Sequence, residues 1–299
     1  MRAAGVMREE DHRMLLETRA RFPERIAEAA AARRRRGLLE RRDRILVIAA
    51  DHAARGAVGV GGRPFAMGDR VELLDRLMIA LARPGVDGLL ATPDVVEDLM
   101  LLGALDDKIV IGSMNRGGLQ GSTFEFDDRF TAYDTSSIVR GRLDGGKMLC
   151  RIGLDDPATA RTLESCAQAI TELAGHGLVA MVEPFWSRRV SGAVAHDLSP
   201  EGVIRSVHVA QGLGATSAHT WLKIPVVEDM ERVMRATTLP TLLLGGDPGD
   251  TPEQAYAAWR KALRLPGVRG LVVGRALLYP SDDDVAAAVD TAVAMLEVA

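Results

Sequence analysis

Short apolar runs recur along the chain, each bounded by polar, Gly or Pro positions: Ile45–Ala50, Val86–Ala91, Ile109–Gly112, Met148–Ile152, Val179–Val182, Trp221–Ile224, Thr241–Leu244 and Leu271–Val273. Their apolarity is continuous rather than alternating, which predicts strands of a parallel sheet buried on both faces. Segments with helical periodicity lie between them. Val71–Ala82 puts Val71, Leu74, Leu77, Met78 and Leu81 on one face, and 157–174, 200–213, 227–236, 252–263 and 282–298 also read as helices. Ser199-Pro200 is an N-cap followed by proline at the first helical position, and Ser281 with three aspartates opens the last helix. Eight strand-then-helix units in about 255 residues predict a (β/α)8 TIM barrel over 44–299. The rival, a doubly wound open sheet, needs a glycine fingerprint opening a helix directly after the first strand. Gly59-Val60-Gly61-Gly62 comes well after that strand and opens no helix, so it reads as a loop.

Residues 1–43 read as extra N-terminal helices outside the barrel. Met14, Leu15, Thr18, Phe22 and Ile26 recur at helical spacing, Ala29–Ala32 favours helix, and Pro23 splits the stretch in two. The basic run Arg33–Arg36 has two readings, an anion contact or a solvated helix end whose cations complement the helix dipole. The second is the more ordinary and is the expectation. The long irregular segment Ser113–Asp134 is expected to lie over the catalytic face.

Composition narrows the classes. The chain has 299 residues, 47% hydrophobic and 26% charged, enough to bury a large core without disulfides or a structural metal. A net charge of -4 argues against a nucleic-acid partner. No run approaches a membrane span, and the first residues lack the apolar core of a secretory signal, so a cytoplasmic protein with no membrane partner is expected. Cys150 and Cys166 have no metal-ligand or CxxC spacing and read as reduced, buried thiols. Of 37 Lys plus Arg only four are Lys: Lys108, Lys147, Lys223 and Lys261. A lysine kept where arginine otherwise dominates suggests a task arginine cannot do, such as imine formation.

In a barrel the active site lies at the carboxyl ends of the strands. The polar residues there are Asp51-His52 after the first strand, Ser113-Met114-Asn115-Arg116 after the third, and Lys147 opening the fourth. Glu183 follows the fifth, Lys223 lies within the sixth, Gly245-Gly246 follows the seventh and Gly274-Arg275 the eighth. Burial within WLKIP would lower the Lys223 pKa and supply a neutral, nucleophilic amine; the alternative is an ion pair with Asp51 or Glu183. Lys147 reads as a second cation near Lys223 or as a lysine with its head in solvent. Glu183 and Asp51 read as acid/base carboxylates or as salt-bridge partners, and His52 as a proton shuttle or a loop residue. Asn115 and Arg116 are candidate substrate ligands. Gly245, Gly246, Gly274 and Arg275 suit a phosphate, with glycines admitting its oxygens to the backbone and arginine adding a fork of donors. The remaining histidines show no HxH or HxxxH pattern, so no metal site and no cofactor is expected.

The motifs ADHAARG, GGKMLCRI, VEPF, LKIPV, LLLGG and GLVVGRALL, in that order over roughly 44–280, resemble the class I aldolase superfamily. The likeness is to the group of deoxyribose-phosphate, tagatose-bisphosphate and archaeal-type fructose-bisphosphate aldolases, and within it to an actinobacterial (β/α)8 subgroup associated with inositol catabolism. It implies a Schiff-base lysine at Lys223, an aspartate at Asp51, and, as in the tagatose-bisphosphate branch, Lys147 and Glu183. It implies phosphate-binding turns at Gly245-Gly246 and Gly274-Arg275, a sugar-phosphate substrate and a homo-oligomer. In that scheme Glu183, with Asp51, moves the hydroxyl proton as the C–C bond breaks, while Lys147 stabilises developing negative charge. Two departures stand out. The strand-7 lysine of the deoxyribose-phosphate branch is replaced by Leu243-Leu244-Gly245, and the strand-4 tyrosine of the archaeal-type branch by Leu149-Cys150-Arg151. The specific expectation is cleavage of 2-deoxy-5-keto-gluconate 6-phosphate to dihydroxyacetone phosphate and malonic semialdehyde. The alternatives are a sulfosugar-phosphate, tagatose-bisphosphate or deoxyribose-phosphate aldolase, or a non-catalytic sugar-phosphate-binding barrel.

Overall fold

The computed structural model describes residues 6–245 and 252–298. Nine strands form one sheet: β1 (Ile45–Ala50), β2 (Gly88–Ala91), β3 (Ile109–Ser113), β4 (Gly145–Ile152), β5 (Val179–Val190), β6 (Ala193–His196), β7 (Thr220–Ile224), β8 (Thr241–Leu244) and β9 (Val268–Val273). Eight are parallel, in the order β4-β3-β2-β1-β9-β8-β7-β5, and the β4–β5 pairing closes them into a barrel. This is the (β/α)8 architecture the apolar runs predict. The ninth strand, β6, turns back antiparallel on the outer half of β5. The segment from Ser187 to His196 (SRRVSGAVAH) mixes polar and small apolar residues without a continuous apolar run, so the sequence pattern does not predict this hairpin.

Helices α3 (Arg70–Ala82), α6 (Ala158–Gly175), α7 (Pro200–Gln211), α9 (Pro252–Leu263) and α11 (Val285–Val298) occupy expected segments. The helix expected at 227–236 is the single turn α8 (Met230–Met234), and α4 (Pro93–Leu101), α5 (Thr135–Arg140) and α10 (Arg275–Leu278) are additional. Side-chain alternation divides the core in two. Ile45, Val47 and Ala49 of β1 point into the barrel beside Ile109, Ile111, Val179, Met181, Trp221 and Leu242. Leu46, Ile48 and Ala50 point outward, under the helices. One layer up, the inward parity of each strand reaches Asp51, Ser113, Lys147, Glu183 and Lys223. The period of two that fills the barrel floor with apolar side chains thus delivers ionisable ones to its upper half.

Before β1, α1 (Glu9–Arg21) and α2 (Glu24–Ala32) are separated at Pro23. The basic run after them is not a solvated helix end, which corrects that expectation. It crosses the amino ends of the strands, where Asp87 and Asp144 immediately precede β2 and β4. Arg36 Nη2 lies 2.6 Å from Asp87 Oδ1, and Arg42 Nη2 lies 2.6 Å from Asp87 Oδ2. Arg33 and Arg35 reach Asp144 at 3.3 and 2.9 Å. The same aspartates accept backbone N–H groups of Leu46 and Val110, each at 2.8 Å. The side chains of Arg33 and Arg36 are 2% and 3% exposed; such burial is tolerable only because their charges are paired.

Candidate active site

A cavity of about 430 Å³ opens at the carboxyl end of the barrel, and Lys223, Glu183, His52, Arg116, Gly274 and Arg275 are among its lining residues. Beneath it runs a chain of charges. Lys223 Nζ lies 2.6 Å from Glu183 Oε1, and the other oxygen of Glu183 pairs with Lys147. Lys147 Nζ continues to Asp51 Oδ2 at 3.3 Å, and Asp51 also pairs with Arg116. Ser113 Oγ donates to Asp51 Oδ2 at 2.9 Å and accepts from Arg116 Nε at 3.1 Å. The structure therefore brings together all four residues expected to carry the chemistry: Lys223, Glu183, Lys147 and Asp51.

The two lysines differ in one respect. Lys147 is fully buried, sealed between two carboxylates, and does not line the cavity. Lys223 touches one carboxylate and faces the cavity. Burial lowers the pKa of both, and further so for Lys147, with Arg116 adding to the effect while Glu183 opposes it. Burial by itself would raise the Glu183 pKa, but Lys147, Lys223 and Arg116 outweigh it and hold the group as a carboxylate. Arg116 is pushed down by burial to about 10, so it stays charged at neutral pH. Three cations, Arg116, Lys147 and Lys223, thus face two carboxylates, Asp51 and Glu183. Loss of one proton from either lysine balances the cluster, and Lys223 is the one whose amine faces open space.

Asn115 is not placed for a ligand, which corrects its expected role. Its side chain donates to the Asp128 and Leu149 carbonyls at 3.1 and 2.6 Å and accepts from Leu149 N–H at 2.7 Å, with no exposure. It ties the exit of β3 to β4. Arg116 does line the cavity. Gly245 and Gly274 end β8 and β9 at the cavity wall with Arg275 beside them; Gly246 lies outside the described residues. Glycine at 274 is a packing requirement, since a Cβ there would collide with the Ala49 carbonyl oxygen of β1.

Several cavity residues had no assigned role in the sequence. Arg151, on the inward parity of β4, is 1% exposed and grips Asp128 through Nε and Nη2 at 2.9 and 2.6 Å and Glu125 at 3.3 Å. It anchors the long segment after β3 over the catalytic face. Arg55, after β1, contacts Glu125 at 3.5 Å. His196, on the hairpin, stacks on Phe185 with ring centroids 4.2 Å apart, and its Nδ1 lies 2.9 Å from Ser187 Oγ. Burial pushes His196 down to about 4. Arg55 lies in a loop and His196 on a hairpin outside the apolar runs, and the partners of Arg151 lie in a distant loop, so only their charge type is visible in the sequence.

The profile of the Cgl0159-like family matches residues 43–293. The crystal structure of Cgl0159 from Corynebacterium glutamicum is 54% identical, with a TM-score of 0.96 over 98% of this chain and 99% of that one. An archaeal fructose 1,6-bisphosphate aldolase is 18% identical with a TM-score of 0.66, covering 92% of this chain and all (100%) of that one. A Schiff-base-forming fructose-1,6-bisphosphate aldolase is 20% identical with a TM-score of 0.63, over 91% of this chain and 99% of that one. At these identities the two aldolases establish a shared barrel fold. Among curated proteins no match was found.

Proposed function

We propose that this chain, which belongs to the Cgl0159-like family, is a class I aldolase whose Lys223 forms an imine with the ketone of a phosphorylated keto sugar. The observation that carries the reading is the asymmetry of the two buried lysines. Lys147 is locked between Asp51 and Glu183, whereas Lys223 meets only Glu183 and faces a cavity large enough for a sugar phosphate. A desolvated amine at such a surface attacks a carbonyl. Glu183, in contact with Nζ, orients the amine and balances the charge on it as the carbinolamine forms and loses water. The resulting iminium is the electron sink that lets the C–C bond beside it break. Lys147 and Arg116 keep the floor of the site positive where an alkoxide develops.

Gly245, Gly246, Gly274 and Arg275 are the proposed phosphate end, in the place where barrels commonly bind phosphate. The substrate we favour is 2-deoxy-5-keto-gluconate 6-phosphate, giving dihydroxyacetone phosphate and malonic semialdehyde; a sulfosugar phosphate or tagatose bisphosphate suits the same cationic cavity. The reading includes no metal or cofactor. It includes self-association, supported by exposed Leu16 and Phe22 on α1 and at its end. No described helix is long and apolar enough to cross a membrane. The two free, buried cysteines support a reducing, cytoplasmic setting.

The test is reduction of the protein with borohydride in the presence of dihydroxyacetone phosphate, followed by peptide mass spectrometry. An adduct on the peptide carrying Lys223 is expected. An adduct on Lys147 would reverse the roles of the lysines. No adduct with that ketone or with a panel of keto-sugar phosphates would move the assignment to a barrel that binds sugar phosphates without imine chemistry.

A further inference from the structure

Two buried polar atoms beside the cavity have no hydrogen-bond partner among the described residues, and they lie near each other. Asp51 Oδ1 is unpaired although Asp51 Oδ2 accepts from Ser113, Lys147 and Arg116. His52 Nδ1 is likewise unpaired and lies 3.9 Å from that oxygen. Asp51 has no exposure, while the His52 side chain is 20% exposed and lines the same cavity as Lys223. A closure of about 1 Å converts the gap into a hydrogen bond.

Cleavage also needs a proton carrier, a task that the sequence resemblance assigns to Glu183 with Asp51. One proton must leave the hydroxyl of the carbon that becomes the aldehyde, and one must reach the enamine carbon left behind. Glu183 is poorly suited to this, because both of its oxygens are held by lysines and it is a weak base there. Arg116, with its pKa held at about 10, stays charged at neutral pH, and guanidinium groups in general do not cycle protons there. Two imidazoles remain on the cavity wall, His52 and His196. His196 is fixed against Phe185 and Ser187, and the charges acting on it are chiefly those of Arg151 and Arg55. The charges acting on His52 are those of Arg275, Lys223, Glu183 and Lys147, the groups around the proposed reaction centre.

Resting on the aldolase reading, we propose that His52, paired through Nδ1 to Asp51 Oδ1, is the proton carrier of C–C cleavage. Its Nε2 takes the proton from the substrate hydroxyl as the O–H electrons form the aldehyde C=O. The C–C bond breaks, and its electron pair passes into the iminium to give the neutral enamine. The imidazolium, balanced by Asp51, then returns the same proton to the enamine carbon and the iminium is restored. One proton moves from oxygen to carbon, and no further reactant is needed. Burial and the surrounding cations keep the resting imidazole neutral, ready to accept.

The experiment separates imine formation from proton transfer. Dihydroxyacetone phosphate is incubated with the enzyme in D2O, C–H exchange is followed by NMR, and borohydride trapping is run on the same samples. His52→Gln and His52→Ala are expected to give the wild-type yield of Lys223 adduct while exchange falls about 100-fold, the lower end of a positioned acid–base contribution. Preserved trapping shows that the variants keep a folded site. Exchange at the wild-type rate in either variant would overturn the assignment of His52 and leave the aldolase reading standing. Loss of adduct and exchange together in both variants would make His52 a structural residue and also overturn the assignment. Absence of an adduct in the wild-type protein would overturn the aldolase reading itself, and this proposal with it.

Discussion

The two ends of the barrel both bury arginines or lysines against aspartates or glutamates, but they do so differently. At the amino end, Arg33 and Arg36 also bond to backbone carbonyls, of Lys108 at 2.7 Å and of Asp107 at 3.2 Å. Asp87 and Asp144 there accept from both guanidinium and backbone N–H groups. At the carboxyl end, the charges pair mainly with each other and border a cavity; each end leaves buried polar atoms unsatisfied among the described residues, Arg33 Nε and Arg36 Nη1 at the floor and Asp51 Oδ1 and His52 Nδ1 beside the cavity. Burial of charge alone does not mark a reactive site. Charge paired to the backbone makes a joint, whereas charge paired mainly to other charged side chains, next to open space, suits the proton transfers proposed above.

The largest expected contrast comes from removing one cation at each end. Lys223→Met should lower turnover on the order of 10^5-fold, as for loss of a covalent nucleophile, and should keep the barrel folded. Arg36→Met should leave turnover per folded molecule unchanged while costing about 3–5 kcal/mol of stability, because Asp87 loses a buried partner. Denaturant melts and initial rates on the two variants check this, and a fall in turnover with Arg36→Met would erase the distinction. A second test uses pH. The Lys223 pKa lies below the ordinary lysine value of 10.5, chiefly through burial, and the reactive amine is the deprotonated form. The rate of adduct trapping should therefore rise with pH through a midpoint below 10.5, and a midpoint at or above it would contradict the desolvated amine. The smallest effect is expected within the amino-end network itself. Arg35 shares Asp144 with Arg33 but its side chain is 40% exposed. Arg35→Ala should cost less than about 1 kcal/mol in a chemical melt.

The barrel was legible because its strands are buried on both faces and so appear as unbroken apolar runs. The site was legible where its residues continue those runs: Asp51 follows ILVIAA directly, Lys223 interrupts WLKIP, and Glu183 ends VAMV. What failed has physical reasons. β4 begins at Gly145, ahead of the first apolar residue, because glycines pair in a sheet without contributing hydrophobicity. The arginine run was misjudged because its partners, Asp87 and Asp144, are distant in sequence and lie in polar turns. Asn115 looked like a ligand because an exposed amide and one committed to the backbone have the same letter. Arg151 has no role readable from its neighbours in sequence, because it is an inward-facing anchor for a loop whose aspartate and glutamate are about 25 residues upstream.

The arginines at the amino end also bear on how the chain is made. Arg33 leaves the ribosome 111 residues before Asp144, its partner at the foot of β4, and Arg36 precedes Asp87 by 51. During synthesis the basic segment waits with its charges hydrated, free of the aspartates that will later enclose it. Arg36 can dock once β2 has been made, and Arg33 and Arg35 once β4 follows. Closure of the barrel floor thus needs a chain that already includes β4.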